Sequence, residues 1–164
     1  MTSWAQVAAV APALASFGKQ RLEHRIAYLA TIRPDGSPRV HPVSPFLAED
    51  RLFVYMEPTS PKGHDLRRDA RYCMHCAVED NSGGQGEFLI SGPAAEVKDQ
   101  ATREQAFDVA RAIGYDPQES YILFELSIDE AMMTVYEDGD PKRRRWKRDR
   151  DDADSESHNR SGAD

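Results

Sequence analysis

Two cysteines, Cys73 and Cys76, are all that this chain of 164 residues carries. They are too few for a disulfide framework, and a reducing cytoplasm is the expected setting. No apolar run approaches the length of a membrane span. The N-terminus lacks a basic stretch followed by an apolar one, so no secretory leader is read. Positive charge is in deficit, with a net charge of −7. That balance argues against generic binding to nucleic acid or to an acidic membrane surface. No internal repeat is visible, and no second ligand pair follows Cys73-Met74-His75-Cys76, as a zinc site would need. Cys73 and Cys76 lie three apart on an expected strand, so they face opposite sides and cannot share one ion. They read as core cysteines, and no metal site is expected.

What is present fits one domain with one sizeable core. Ser3 caps a first helix whose apolar face holds Trp4, Val7, Ala8, Val10 and Leu14. Pro12 splits this region, and a second helix runs to about Glu23 with Leu14, Phe17 and Leu22 inward. Strands are expected at Ile26–Ile32, Arg39–Leu47, Arg51–Met56, Arg71–Val78 and Glu87–Val97. Gly92-Pro93 marks a bulge or bend in the last of these. Ser60 caps a helix from Pro61 to Arg68, and Thr102–Ile113 forms another, ended by Gly114. Strands Tyr121–Ile128, Met132–Tyr136 and Arg143–Arg148 follow. Short links between strands indicate an antiparallel meander and a small closed barrel of the α+β class, six or seven strands in all. Residues 1–148 make the domain, with its N-terminal helices in 3–23. Residues 149–164, poor in apolar side chains, are expected to be an acidic disordered tail.

Two segments carry the functional signal. Arg33-Pro34-Asp35-Gly36-Ser37-Pro38-Arg39-Val40-His41-Pro42-Val43 reads as a tight turn feeding a strand. Pro42 and Pro45 remove ladder donors, so one side of that strand must be an edge or must face something else, such as a ligand. Thr59-Ser60-Pro61-Lys62-Gly63-His64-Asp65-Leu66 reads as a helix start with a lysine in its first turn. Lysine there opposes the helix dipole, and an anion would offset the penalty. A strand edge beside such a helix end suits a flat ligand that bears a phosphate.

These two segments resemble the pyridoxamine 5′-phosphate oxidase-like, FMN-binding split barrels. The resemblance covers residues 22–147 and is strongest from Tyr28 to Arg71. It implies an antiparallel split β-barrel with peripheral helices, FMN as cofactor, and a homodimer that builds each flavin pocket from two chains. Arg39, Val40, His41, Pro42 and Val43 match the strand that passes the flavin ring, where backbone groups meet the ring's polar edge. Tyr55 and Met56 match the next pair beside the ring. Lys62 matches a phosphate-binding lysine, with Ser60 adding a hydroxyl or serving only as the helix cap. Pro61 stands where many relatives carry an arginine, which leaves Arg39, Arg67 or Arg68 to substitute. Glu87 falls where relatives carry a ring-contacting glutamine, although a carboxylate lacks the amide's donor. Trp146 falls where a late tryptophan lines the pocket, often from the other subunit. The plain alternative is a tryptophan anchoring the last strand.

The resemblance therefore implies an FMN-dependent oxidoreductase acting on a small molecule. Pyridoxamine phosphate oxidases proper carry a C-terminal arginine–histidine pair for the substrate phosphate. This chain turns acidic after Arg148 and shows no such pair, so a different substrate is expected. No catalytic acid, base or nucleophile stands out, as suits chemistry carried by a flavin. A deazaflavin is the alternative cofactor, with Lys62, Arg67 and Arg68 for its longer tail. A flavin or haem module with little turnover is another, with His24, His41, His64 and His75 as possible axial ligands. The basic run Lys142–Arg148 would alternate across a strand, so it is not one nucleic-acid surface.

Overall fold

The structure is a computed structural model and describes residues 1–149. The expected tail, 149–164, lies outside the described residues except for Asp149. Two helices open the chain, α1 (Trp4–Val10) and α2 (Pro12–Leu22). Ser3 caps the first as expected. Its hydroxyl accepts from the Gln6 N–H, and the Gln6 side chain accepts from the Ser3 N–H at 2.7 Å. Pro12 stands in the first turn of α2, where a missing N–H is no loss. Trp4, Val7, Leu14 and Leu22 are buried. Val10, expected on the same face, is exposed, because the helix breaks at Ala11 and the chain changes direction.

Then follow β1 (Ala27–Ile32), β2 (Pro38–Val43), β3 (Phe46–Ala48), β4 (Arg51–Met56), α3 (Pro61–Arg68) and β5 (Arg71–Cys76). The chain ends its folded body with β6 (Glu87–Glu96), α4 (Gln100–Ala112), β7 (Ile122–Leu126), β8 (Glu130–Glu137) and β9 (Asp140–Lys147). Seven strands make one continuous path, β2-β1-β5-β6-β7-β4-β3, and the hairpin β8–β9 branches from β6. Every pairing is antiparallel. This is the expected α+β split barrel with peripheral helices. The expected strand Arg39–Leu47 is two strands, because Ser44 and Pro45 interrupt it. β2 pairs with β1 and β3 pairs with β4.

The split itself sits at Gly92-Pro93, the bend expected from the sequence. Before it, Glu87–Ser91 pair with β8; after it, Ala94–Glu96 pair with β7. The chain passes from β7 to β8 directly over Gly92, where a Cβ would lie 2.1 Å from the Ser127 carbonyl oxygen. Only glycine allows that approach. Asp129 N–H donates to the Ser91 carbonyl at 2.8 Å and Ser127 N–H to the Pro93 carbonyl at 3.0 Å, so the crossing is hydrogen-bonded on both sides.

Two apolar clusters fill the body. The larger joins α1 and α2 to the inner faces of the strands, with Phe88 against Trp4 and Phe17 at ring-centre distances of 6.1 and 6.3 Å. The smaller lies under α4 and gathers Phe46, Phe53, Tyr55, Val97, Ala106, Ala110 and Leu123. β4 feeds both: Leu52, Val54 and Met56 point into the first cluster, Phe53 and Tyr55 into the second. Of the two cysteines, Cys76 is buried as expected. Cys73 is only half-buried, on the outer side of β5. No group of residues suited to a metal ion occurs among the described residues, nor does any helix long and apolar enough to cross a membrane.

Candidate functional site

β4 ends at Met56, and a tight turn, Ser60 N–H to the Glu57 carbonyl at 3.0 Å, leads into α3. Tyr55 is fixed by stacking on Phe46, ring centres 5.6 Å apart and planes within 7°. Its burial raises its phenol pKa above the usual value. A hollow of about 380 Å³ opens between the end of β4 and the start of α3. It brings together four expected site residues, Tyr55, Met56, Ser60 and Lys62, and adds Thr59 and Tyr121.

The expected cap on α3 is made differently. Ser60 holds the cap position, but its hydroxyl makes no capping hydrogen bond. The Gly63 and His64 N–H groups donate instead to the Ser60 carbonyl, at 3.0 and 3.1 Å. The Ser60 hydroxyl is buried and has no hydrogen-bond partner among the described residues. A buried hydroxyl without a partner costs about 1–3 kcal/mol. Two residues on, half-buried Lys62 makes no ion pair among the described residues. An unpaired hydroxyl and an unpaired ammonium at a helix N-terminus form a donor set that fits a phosphate.

The other cations offered by the sequence are engaged elsewhere. Arg39 Nε donates to Asp65 Oδ2 at 2.7 Å, and Arg68 Nη1 lies 3.3 Å from Asp65 Oδ1. Thr31 Oγ1 donates to the same Asp65 Oδ2 at 3.0 Å, and Arg68 Nη2 also donates to the Ile32 carbonyl. Burial alone would raise the Asp65 carboxyl. The hydrogen bonds from Arg39, Thr31 and Arg68 outweigh it and hold the group below its ordinary pKa. Arg67 is bound in a two-point pair to Glu96, at 2.7 and 3.0 Å. Lys62 is therefore the cation left over at this helix end.

β2 is the outermost strand on its side of the sheet and, among the described residues, pairs only with β1. One side of its backbone is open, as its prolines require. Arg39, His41 and Val43 turn to the inner face, while Val40 and Pro42 turn outward and are exposed. Glu87 and Trp146 do not line the hollow. Glu87 accepts a hydrogen bond from the Tyr136 hydroxyl at 2.9 Å. Trp146 packs on the large apolar cluster of its own chain, in a second hollow walled by Val10–Leu14. Among the candidate axial ligands, His24 and His64 are exposed. His75 Nδ1 lies 2.6 Å from the Cys76 carbonyl, and its hydrogen bonding to Cys76 raises its pKa against the effect of burial.

Sequence reasoning missed Thr59, Tyr121 and Asp65. Thr59 adjoins Ser60 and follows from the turn once the hollow is known. Tyr121 arrives from the start of β7 through the β4–β7 pairing, which places Ile122 opposite Met56. Asp65 offered little signal: only the structure shows that it lies between Gly63 and Leu66 on the buried side of α3.

Comparison with known proteins gives the same frame. The sequence profile described as pyridoxamine 5′-phosphate oxidase matches residues 13–135. No protein of curated function matches the chain in sequence. Among solved structures, PhzG from Burkholderia lata, in complex with tetrahydrophenazine-1-carboxylic acid, superposes with a TM-score of 0.60. It shares 17% identity, over 88% of this chain and 87% of that one. A NimC/NimA-family protein from Clostridium acetobutylicum gives 0.59 at 16% identity, over 81% and 92%. The heme storage protein HutZ from Vibrio cholerae gives 0.54 at 17% identity, over 72% and 89%. At these identities the likeness establishes the fold.

Proposed function

The chain belongs to the pyridoxamine 5′-phosphate oxidase family, and from that premise we propose that it is an FMN-dependent oxidoreductase acting on a small molecule other than pyridoxamine phosphate. One observation carries the reading: a buried, unpartnered Ser60 hydroxyl stands beside an unpaired Lys62 at the start of α3. These two groups would hold the phosphate. The open edge of β2, Arg39–Val43, would run along the ring, with Tyr55 and Met56 closing the hollow from β4. Bound FMN would supply the hydride or electron transfer, and the protein would orient it and tune it.

The working unit in this reading is a homodimer. The outer face of β1 and β2 carries apolar side chains that no described residue covers. Val40 is 60% exposed and Tyr28 47%, and Pro42 stands opposite Tyr28 in the ladder. Exposed apolar surface of this kind beside an open site is what a second copy would cover, through one patch used twice.

Absorption of the purified protein tests the cofactor, because oxidised flavin, a deazaflavin and haem absorb at distinct wavelengths. The expected result is an oxidised flavin spectrum, or uptake of added FMN. A haem spectrum, or failure to take up FMN at micromolar concentration, overturns it. Sedimentation at micromolar concentration tests the assembly. Wild type is expected to run as a dimer and Tyr28→Glu as a monomer, and a wild-type monomer with full flavin occupancy removes the shared site.

A further inference from the structure

The carboxylate of Asp65 lies 2% exposed in the middle of α3, and the reading above gives it no task. Its surroundings do. α3 has eight residues, of which Gly63, Asp65 and Leu66 are buried. Leu66 is the one large apolar side chain among them. The apolar burial of one side chain leaves a helix free to turn about it, since burial of apolar surface has no direction, and the exposed Arg67–Glu96 pair ties α3 only to β6. Hydrogen bonds have direction. Asp65 Oδ2 accepts from Thr31 and from Arg39, and these two residues stand directly opposite one another in the β1–β2 ladder. Asp65 Oδ1 faces Arg68, whose guanidinium also reaches the Ile32 carbonyl. Oδ2 thus fastens the helix to both strands, and Arg68, held by Oδ1, adds a second tie to β1, all at the strand ends nearest the Pro34-Asp35-Gly36 turn.

The helix so fastened carries Ser60 and Lys62. One of the strands so fastened is β2. We propose that Asp65 is a positioning residue that sets the phosphate-holding end of α3 against the ring-facing edge of β2. The inference rests on the FMN reading and adds a requirement to it. A ligand that engages both ends needs the two in register, whereas a ligand that engages one end does not. FMN engages both; riboflavin, which lacks the phosphate, engages only the strand side. Asp65 should therefore govern the preference for FMN over riboflavin.

The experiment uses the full chain and flavin fluorescence. FMN and riboflavin are titrated into wild type, Asp65→Asn and Thr31→Val. Wild type is expected to prefer FMN. In Asp65→Asn the FMN affinity should fall about tenfold while that for riboflavin changes by less than about twofold. Thr31→Val removes one hydrogen bond to the Asp65 carboxylate but leaves those from Arg39 and Arg68, and should shift the preference the same way by about threefold. If Asp65→Asn does not fold, Thr31→Val decides. Equal losses for both flavins would mark a purely structural role and overturn the proposal. Tighter FMN binding by Asp65→Asn would also overturn it, showing that the carboxylate had been competing for the arginines. A wild type that prefers FMN alongside variants that keep the preference removes the role of Asp65 alone. A wild type that takes neither flavin removes the FMN reading, and this inference with it.

Discussion

In the second half of α3 each charged side chain is matched. Asp65 meets Arg39 and Arg68, and Arg67 meets Glu96. Just beyond the helix, Asp69 meets Arg71, and hydrogen bonds from Arg71 pull the Asp69 carboxyl down to about 2. In the first half, one turn away, Lys62 has no ion pair among the described residues and the Ser60 hydroxyl is buried without a partner. One short helix and its cap residue thus contain a finished joint and an unfinished one. A joint whose groups are all satisfied within the chain contributes to holding the fold. Groups left unsatisfied at a helix N-terminus, beside a hollow, are available to an anion. Substitutions in the two halves should therefore separate stability from binding.

The largest effect is expected from Asp65→Ala. It leaves Arg39 half-buried without its carboxylate, a change that costs about 3–5 kcal/mol when a buried pair is broken from one side. Urea unfolding measures it, and a loss under about 1 kcal/mol would mean that water replaces the carboxylate. Next comes Lys62→Ala. FMN affinity should drop tenfold or more, from loss of a charge-assisted contact of about 1.5–3 kcal/mol, while the free protein unfolds within about 0.5 kcal/mol of wild type. Equal FMN titrations for the two proteins would take Lys62 out of the site. Ser60→Ala comes third. The free protein should be as stable as wild type or slightly more so, since an unpartnered hydroxyl is removed, and FMN should bind with about 1 kcal/mol less. A clear drop in melting temperature without ligand would show that the hydroxyl caps the helix in solution.

The smallest effect is a matter of pH. The folded Asp65 carboxyl titrates below its ordinary value. Its contribution is therefore fully present above the unfolded value, about 3.9, and is lost as pH falls through the lower, folded one. The gap in melting temperature between wild type and Asp65→Ala should stay level from neutrality to about pH 4 and narrow below that. A gap that widens on acidification would mean that Asp65 is protonated in the folded chain.

Much of this could be read from the residues in order, and the exceptions have physical causes. β1 and β4 are short apolar runs with turn residues on both sides, so their existence and ends were plain. Gly92-Pro93 announced the bend in β6. The break between β2 and β3 was hidden, because Pro42 and Pro45 read as irregularities in one strand. Only the pairing of Phe46 with Phe53 shows that the chain has left β1 for β4. β8 and β9 reach further toward each other than their hydrophobic patterns predict. Asp138 and Gly139, with φ of 53° and 87°, make a hairpin turn tight enough to zip charged residues into a ladder. Within the site, Ser60 and Lys62 were legible because helix-start chemistry is local. Asp65 was not, because its partners lie 26 and 34 residues back in the chain and a lone acid on a short helix reads as solvated.

The three free borders of the sheet show a further consequence of the strand order. β2 carries Pro38 and Pro42, β3 is three residues long, and β9 presents Lys142, Arg143, Arg144, Arg145 and Lys147. Each is a recognised way to stop a foreign strand from zipping on: missing donors, too little length, and repelling charge. A protein with three bare borders would otherwise template its own polymerisation. With its borders blunted in these three ways, this chain can leave Val40 and Tyr28 exposed without offering a foreign strand an edge to extend.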